Sequence, residues 1–222
     1  MFARLSHVGS LLVDWLTPQD CLGCSTEAAI GHGFCDVCTD ALELSLATRL
    51  AEYTLVAPFC HRGPVRHAIH QLKYSDRPDY ARRLVMTAFS TQRLGVVGQA
   101  TLIPVPLHPL RLVERGYNQA ALLARALGKL WRLPTAYDLL VREASTGSQV
   151  GRNRAERVEN MRSAFRVQCS RAMPTSVWLV DDVVTTGATA RSCAQALGAA
   201  GVLVAGIIAL SHAASPCSAE TQ

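Results

Sequence analysis

A chain that ends an apolar strand on two adjacent carboxylates and then runs through hydroxyls and a glycine into a helix has few folds open to it. Residues 177–189, Val-Trp-Leu-Val-Asp-Asp-Val-Val-Thr-Thr-Gly-Ala-Thr, have that layout. Backbone N–H groups at a helix start attract an anion, and Gly187 lets the chain approach a phosphate closely. Thr185, Thr186 and Thr189 can donate hydroxyl hydrogen bonds to its oxygens, with Ala188 between them. Asp181 and Asp182 beside such an anion would repel it unless they face neutral hydroxyls or a hydrated magnesium. A sugar phosphate with a vicinal diol meets both demands, whereas a plain turn between strand and helix would not need both carboxylates.

The context is an alternation of short apolar runs and longer helical ones. Strands are expected at Tyr53–Phe59, Thr101–Pro106, Val177–Val180 and Val202–Leu210, and helices at Val65–Leu72, Tyr80–Leu94, Gln119–Trp131 and Thr189–Leu197. Strands separated by helical patterns imply crossover connections and a parallel sheet covered on both faces, with ligands beyond the carboxyl ends of the strands. Ser192–His212 carries no charge, but Gly198, Gly201 and Gly206 interrupt it. It reads as a helix end, a turn and a buried strand rather than a bilayer span, so no membrane insertion is expected. The amino terminus lacks the charged-then-apolar layout of a secretory signal, which makes the cytoplasm the expected location.

Residues 2–16 show helical apolar spacing, and two Cys-x-x-Cys pairs follow, Cys21/Cys24 and Cys35/Cys38. Two tight turns at this spacing supply four thiolates to one tetrahedral ion, and a four-Cys zinc site keeps no open position, so the expectation is structural zinc. The chain then divides into an amino-terminal helix and zinc module over 1–50 and a larger domain over 51–222. The module would draw its stability from the metal, because so short a stretch has little apolar core of its own. The four remaining cysteines lie singly, without ligand spacing.

The thirteen-residue segment resembles the phosphoribosyl pyrophosphate signature of the type I phosphoribosyltransferases. That resemblance implies a type I α/β core, magnesium, a sugar held by Asp181 and Asp182, and a 5-phosphate held by residues 185–189. It also implies a pyrophosphate loop after an earlier strand, here Pro106, Leu107 and His108, with Arg115 at hand. Arg115-Gly116-Tyr117-Asn118-Gln119, Leu72-Lys73-Tyr74, Asp76-Arg77, Gln149-Val150-Gly151, Arg157, Asn160 and Ala164-Phe165 resemble the ComF family of phosphoribosyltransferase-like proteins, as does the four-cysteine module. Membership there implies a link to natural competence and the handling of incoming DNA. Arg152 and Asn153 depart from the less polar residues expected after Gly151.

Charge is distributed unevenly. Residues 1–52 hold two Arg against seven acids, net −5, so the rest of the chain carries +10 of the overall +5 balance. An anionic partner should therefore meet the second part. Residues 142–171 hold seven Arg and three Glu, and in type I enzymes the loop before the signature strand closes over the reaction centre. Gln149, Arg152, Arg154 and Arg157 are the candidates for that flexible loop. The leading expectation is a protein that binds phosphoribosyl pyrophosphate and transfers its sugar. Two others stand beside it: a non-enzymatic factor on single-stranded DNA or other competence proteins, and a ligand sensor. Aromatic residues are 6% of the chain and form no stacking cluster, which weakens the DNA reading.

Overall fold

The structure is a computed structural model that describes residues 19–28, 33–90, 100–143, 164–168 and 173–214. The helix expected over 2–16 and the loop candidates Gln149, Arg152, Arg154 and Arg157 lie outside these residues. The described chain begins with β1 (Gln19–Asp20), β2 (Glu27–Ala28) and a short α1 (Asp36–Asp40), followed by β3 (Arg49–Leu50), β4 (Tyr53–Val56) and β5 (Phe59–Cys60). Two helices come next, α2 (Gly63–Tyr74) and α3 (Asp79–Phe89), then β6 (Thr101–Pro104), α4 (Pro109–Arg115) and α5 (Gln119–Trp131). β7 (Leu140–Arg142) and β8 (Phe165–Val167) precede β9 (Ser176–Val184), α6 (Ala188–Ala199) and β10 (Leu203–His212).

The main sheet has the order β3-β4-β10-β9-β6, with β5 also on β10. All its pairings are parallel except β3 with β4. Alternation along β9 divides the core. Trp178 and Val180 face a layer built from α2, α3 and α5, with Leu72, Leu84 and Leu123 fully buried there. Val177 and Leu179 face α6, where Cys193 and Leu197 are fully buried. Each such side chain contributes about 1.5–3 kcal/mol of burial, so the two layers clamp β9 and β10 from both sides. Gly206 makes room for the Trp178 indole, since a Cβ there would collide with the ring and lie 2.8 Å from the Thr54 carbonyl.

The structure confirms a mixed α/β protein with a mostly parallel sheet between helices, and it alters several boundaries. The strand expected at 53–59 is broken, because Pro58 has no N–H for the ladder; β4 and β5 lie on either side of it. β9 runs to Val184, four residues past the expected end, so both carboxylates lie inside the paired strand. The segment after His108, for which no helix was expected, is α4: Pro109 occupies the first turn, and His108 Nδ1 accepts from the Leu110 N–H at 3.3 Å. Ser192–His212 is the end of α6, a turn at Gly201 with φ +78°, and β10. Among the described residues no helix is long and apolar enough to cross a membrane.

Candidate functional site

The four cysteines of the amino-terminal pairs converge. Their sulfur atoms lie within 4.8 Å of one another, with Cys24 and Cys35 at 3.7 Å. Cys21 Sγ accepts N–H groups from Gly23 at 3.3 Å and Cys35 at 3.2 Å, the arrangement that stabilises a thiolate. Hydrogen bonds from Thr26 bring the Cys24 thiol down to about 6, while burial pushes Cys38 up. Four soft ligands at this separation fit a metal ion such as zinc. The loop is seated tightly on the body: a Cβ on Gly23 would lie 2.7 Å from Pro64 Cβ at the start of α2, and Arg83 of α3 donates to the Asp20 carbonyl at 2.6 Å.

A second centre lies at the carboxyl ends of the parallel strands. Gly187 adopts the left-handed conformation, φ +72° and ψ +11°, and opens α6. Leu50 packs beneath it so closely that a Cβ would collide with its side chain. Thr185, Thr186 and Thr189 are exposed, and Arg191 Nη1 holds the Thr186 carbonyl at 2.7 Å. The loop therefore offers free hydroxyls on a fixed backbone. Beside it, the β6 strand gives way to Pro106, Leu107 and His108, all partly buried. Asn118 fastens that loop twice, donating to the Val105 carbonyl at 3.0 Å and accepting from the Ala120 N–H at 3.0 Å as the cap of α5.

Three segments singled out in the sequence interlock here. Tyr117 donates to the Leu72 carbonyl at 2.8 Å. Arg115 lies over the Tyr74 ring at 4.8 Å, donates to the Tyr74 hydroxyl at 3.0 Å and donates to Gln119 Oε1 at 3.1 Å. Two of its amino groups are thus engaged in joining α2 to α5 rather than lying free beside the loop. Lys73, between Leu72 and Tyr74, points the other way and pairs with Asp182 at 2.9 Å, both side chains largely buried.

Asp181 leaves the opposite face of β9 and accepts the Asp182 N–H at 2.9 Å. Burial first, and the Asp182 charge second, push its carboxyl up to about 7. Lys73 thus offsets the charge of Asp182, while burial disfavours the charged form of Asp181. The rest of the rim carries groups that no local pattern announced. His61 and Ser211 form a hydrogen bond at 3.0 Å, and His212 Nε2 donates to the Thr185 carbonyl at 3.2 Å, steadying the hydroxyl loop. His61 and Ser211 are 150 positions apart, so only the sheet topology brings them together. Lys73 was marked in the sequence as part of Leu72-Lys73-Tyr74, one of the segments that carry the family resemblance.

No protein-family model matches this chain. It is similar to DNA utilization protein YhgH of Shigella flexneri, 30% identical over an alignment of 218 positions that covers 84% of this chain and 95% of that protein. It is 38% identical over 103 positions to Competence protein F of Haemophilus influenzae, spanning 46% of this chain and 45% of that one. Competence protein ComFC of Streptococcus pneumoniae is 30% identical over 129 positions, spanning 58% and 56%.

Proposed function

This chain belongs to the ComF family, and on that footing we propose that it binds phosphoribosyl pyrophosphate at the carboxyl ends of β6 and β9, in a protein that serves DNA utilization and competence. One observation carries the reading: an adjacent acid pair, one member paired with Lys73, stands next to an exposed hydroxyl loop that opens a helix. The 5-phosphate takes the hydroxyls of Thr185, Thr186 and Thr189 and the backbone N–H groups from Gly187 onward. Asp182 and Asp181 meet the ribose hydroxyls from the two faces of β9. Pro106, Leu107 and His108 border the diphosphate.

Because Lys73 already pairs with Asp182 and burial disfavours charge on Asp181, the pair suits neutral hydroxyls better than a bare cation. Magnesium accordingly enters with the diphosphate it neutralises. The chemistry open to such a site is displacement of pyrophosphate from the anomeric carbon by a nucleophile. The amino-terminal cysteines hold structural zinc, since four thiolates fill its coordination shell.

The experiment is calorimetry with phosphoribosyl pyrophosphate, with and without magnesium. Affinity is expected with magnesium, and Asp181→Asn with Asp182→Asn should weaken it by roughly a hundredfold, the worth of two charge-assisted hydrogen bonds. Unchanged affinity in the folded double variant would remove the acids from the ligand site. A second reading, a factor that holds single-stranded DNA, draws on the names of the relatives and on the +10 carried past residue 52.

A further inference from the structure

The unassigned groups at the strand ends are arranged for proton transfer. His61 follows β5 directly, and parallel pairing sets Ser211 of β10 against Phe59 and His212 against Cys60. The His61 backbone N–H donates to the His212 carbonyl at 3.2 Å, and its Nδ1 lies 3.0 Å from Ser211 Oγ. The imidazole is thereby fixed through both main chain and ring. Ser211 is 0% exposed, so its hydroxyl meets no substrate and is no nucleophile; what it can do is orient the ring. The ring itself is only partly buried. When Nδ1–H is given to Ser211 Oγ, the lone pair of Nε2 is left for another partner.

The charged groups facing His61 are Lys73 and Arg66 of α2 and Asp182 of β9. Burial foremost, then Lys73, lowers its titration below the ordinary histidine value, against the opposing pull of Asp182. That direction favours the neutral ring, the form that can accept a proton.

We propose that His61, oriented by Ser211, takes the proton from the nucleophile that attacks the sugar, and that the acceptor is therefore a neutral N–H or O–H compound. This rests on the reading that phosphoribosyl pyrophosphate occupies the adjoining acid pair. As the acceptor nitrogen or oxygen bonds to the anomeric carbon, the carbon–oxygen bond to pyrophosphate breaks and its electron pair leaves with pyrophosphate. The acceptor proton passes to His61 Nε2, and the Asp182 carboxylate favours the imidazolium that results. An acceptor that arrives as an anion has no such proton to give up.

The test is pyrophosphate release from magnesium phosphoribosyl pyrophosphate, with water and with each common purine and pyrimidine base, from about pH 5 to 9, alongside calorimetric affinity for the same compound. The wild-type rate should fall on the acid side, below about pH 6.5, as His61 becomes protonated. His61→Asn keeps an N–H for Ser211 but has no base; it should release pyrophosphate roughly a hundredfold more slowly, lose the acid limb and retain its affinity. Added imidazole should restore rate to His61→Ala. Ser211→Ala should move the limb to lower pH, since the imidazolium loses an acceptor. A folded His61→Asn with the wild-type rate and limb overturns the assignment, as does a wild type that binds the compound yet releases pyrophosphate with none of these acceptors. A wild type that does not bind it removes the ligand reading as well, so the two failures are told apart by the calorimeter.

Discussion

Neighbouring side chains on a strand leave opposite faces, so Asp181 and Asp182 do not share an environment although they are adjacent in sequence. Asp182 emerges toward α2 and finds Lys73. Asp181 emerges on the α6 side near Cys193, whose titration is raised by burial first and by the Asp181 charge second, and burial raises that of Asp181 itself to about 7. The consequence is a stability that depends on pH with a definite sign. Between the ordinary carboxyl range and about 7 the folded chain holds a proton that the unfolded chain has lost, so this residue's contribution to stability declines as pH rises, by about 1.4 kcal/mol per unit, and levels off above the folded value. Asp181→Asn should flatten that decline and raise the urea midpoint at neutral pH; a midpoint with the wild-type pH profile in the variant would show that Asp181 is ionised in the fold. The sequence made the pair visible but not this division of labour. An end at Val180 put both acids in a loop, where they could turn the same way, and the ladder to Val184 forbids it. His61 and Ser211 gave no local sign, because their pairing is a property of strand order.

At the level of elements, the cysteine module and the helices behind it behave as one packing unit. Cys21, Leu22, Phe34 and Cys38 belong to the same buried cluster as Leu72 of α2 and Leu84 of α3. Arg77 ties the join from the outside, pairing with Asp79 at 3.0 Å and Asp20 at 3.8 Å. Spacing alone made the four-sulfur cluster legible, since paired Cys-x-x-Cys turns have little other use. That the module's apolar residues complete the core of the larger domain was not legible, because α2 and α3 show an apolar face without saying what covers it. Metal loss should therefore be felt beyond the module. Protein purified without added metal should hold about one zinc per chain, and Cys21→Ser with Cys38→Ser, both at buried positions, should remove it and lower the thermal midpoint of the whole chain in a single transition. A metal-free chain that melts as the wild type does would mean that the sulfurs are merely packed. The α4 helix shows a different way for sequence to mislead: three prolines within residues 104–109 suggest irregular chain, yet Pro109 sits where a helix tolerates proline best.

Over the whole molecule, the acidic amino-terminal stretch and the basic body set up two binding modes that share a chain and differ in physics. On the proposed reading, phosphoribosyl pyrophosphate would be recognised by a few groups of fixed geometry at the ends of β9 and β6; single-stranded DNA would be held by diffuse positive charge, with little base stacking from a chain whose aromatic content is 6%. The mixed α/β class with a mostly parallel sheet followed from the order of apolar runs, and the carboxyl ends of its strands are where such a sheet is expected to take a ligand. Charge says only where an anion is welcome and not which anion, so the DNA reading needs a measurement that the acid pair does not enter. A fluorescent oligonucleotide provides it. Binding by the body should weaken with salt by about 0.7 in log affinity per log unit of salt for each phosphate contacted, and should vary little with base sequence. Asp181→Asn with Asp182→Asn should weaken affinity for phosphoribosyl pyrophosphate by roughly a hundredfold while leaving the affinity for DNA unchanged or slightly higher, since negative charge has left a positive surface. Loss of both ligands together would place the oligonucleotide in the crevice itself, competing with the sugar phosphate for the hydroxyl loop. DNA affinity that is indifferent to salt would exclude the charged surface as its source.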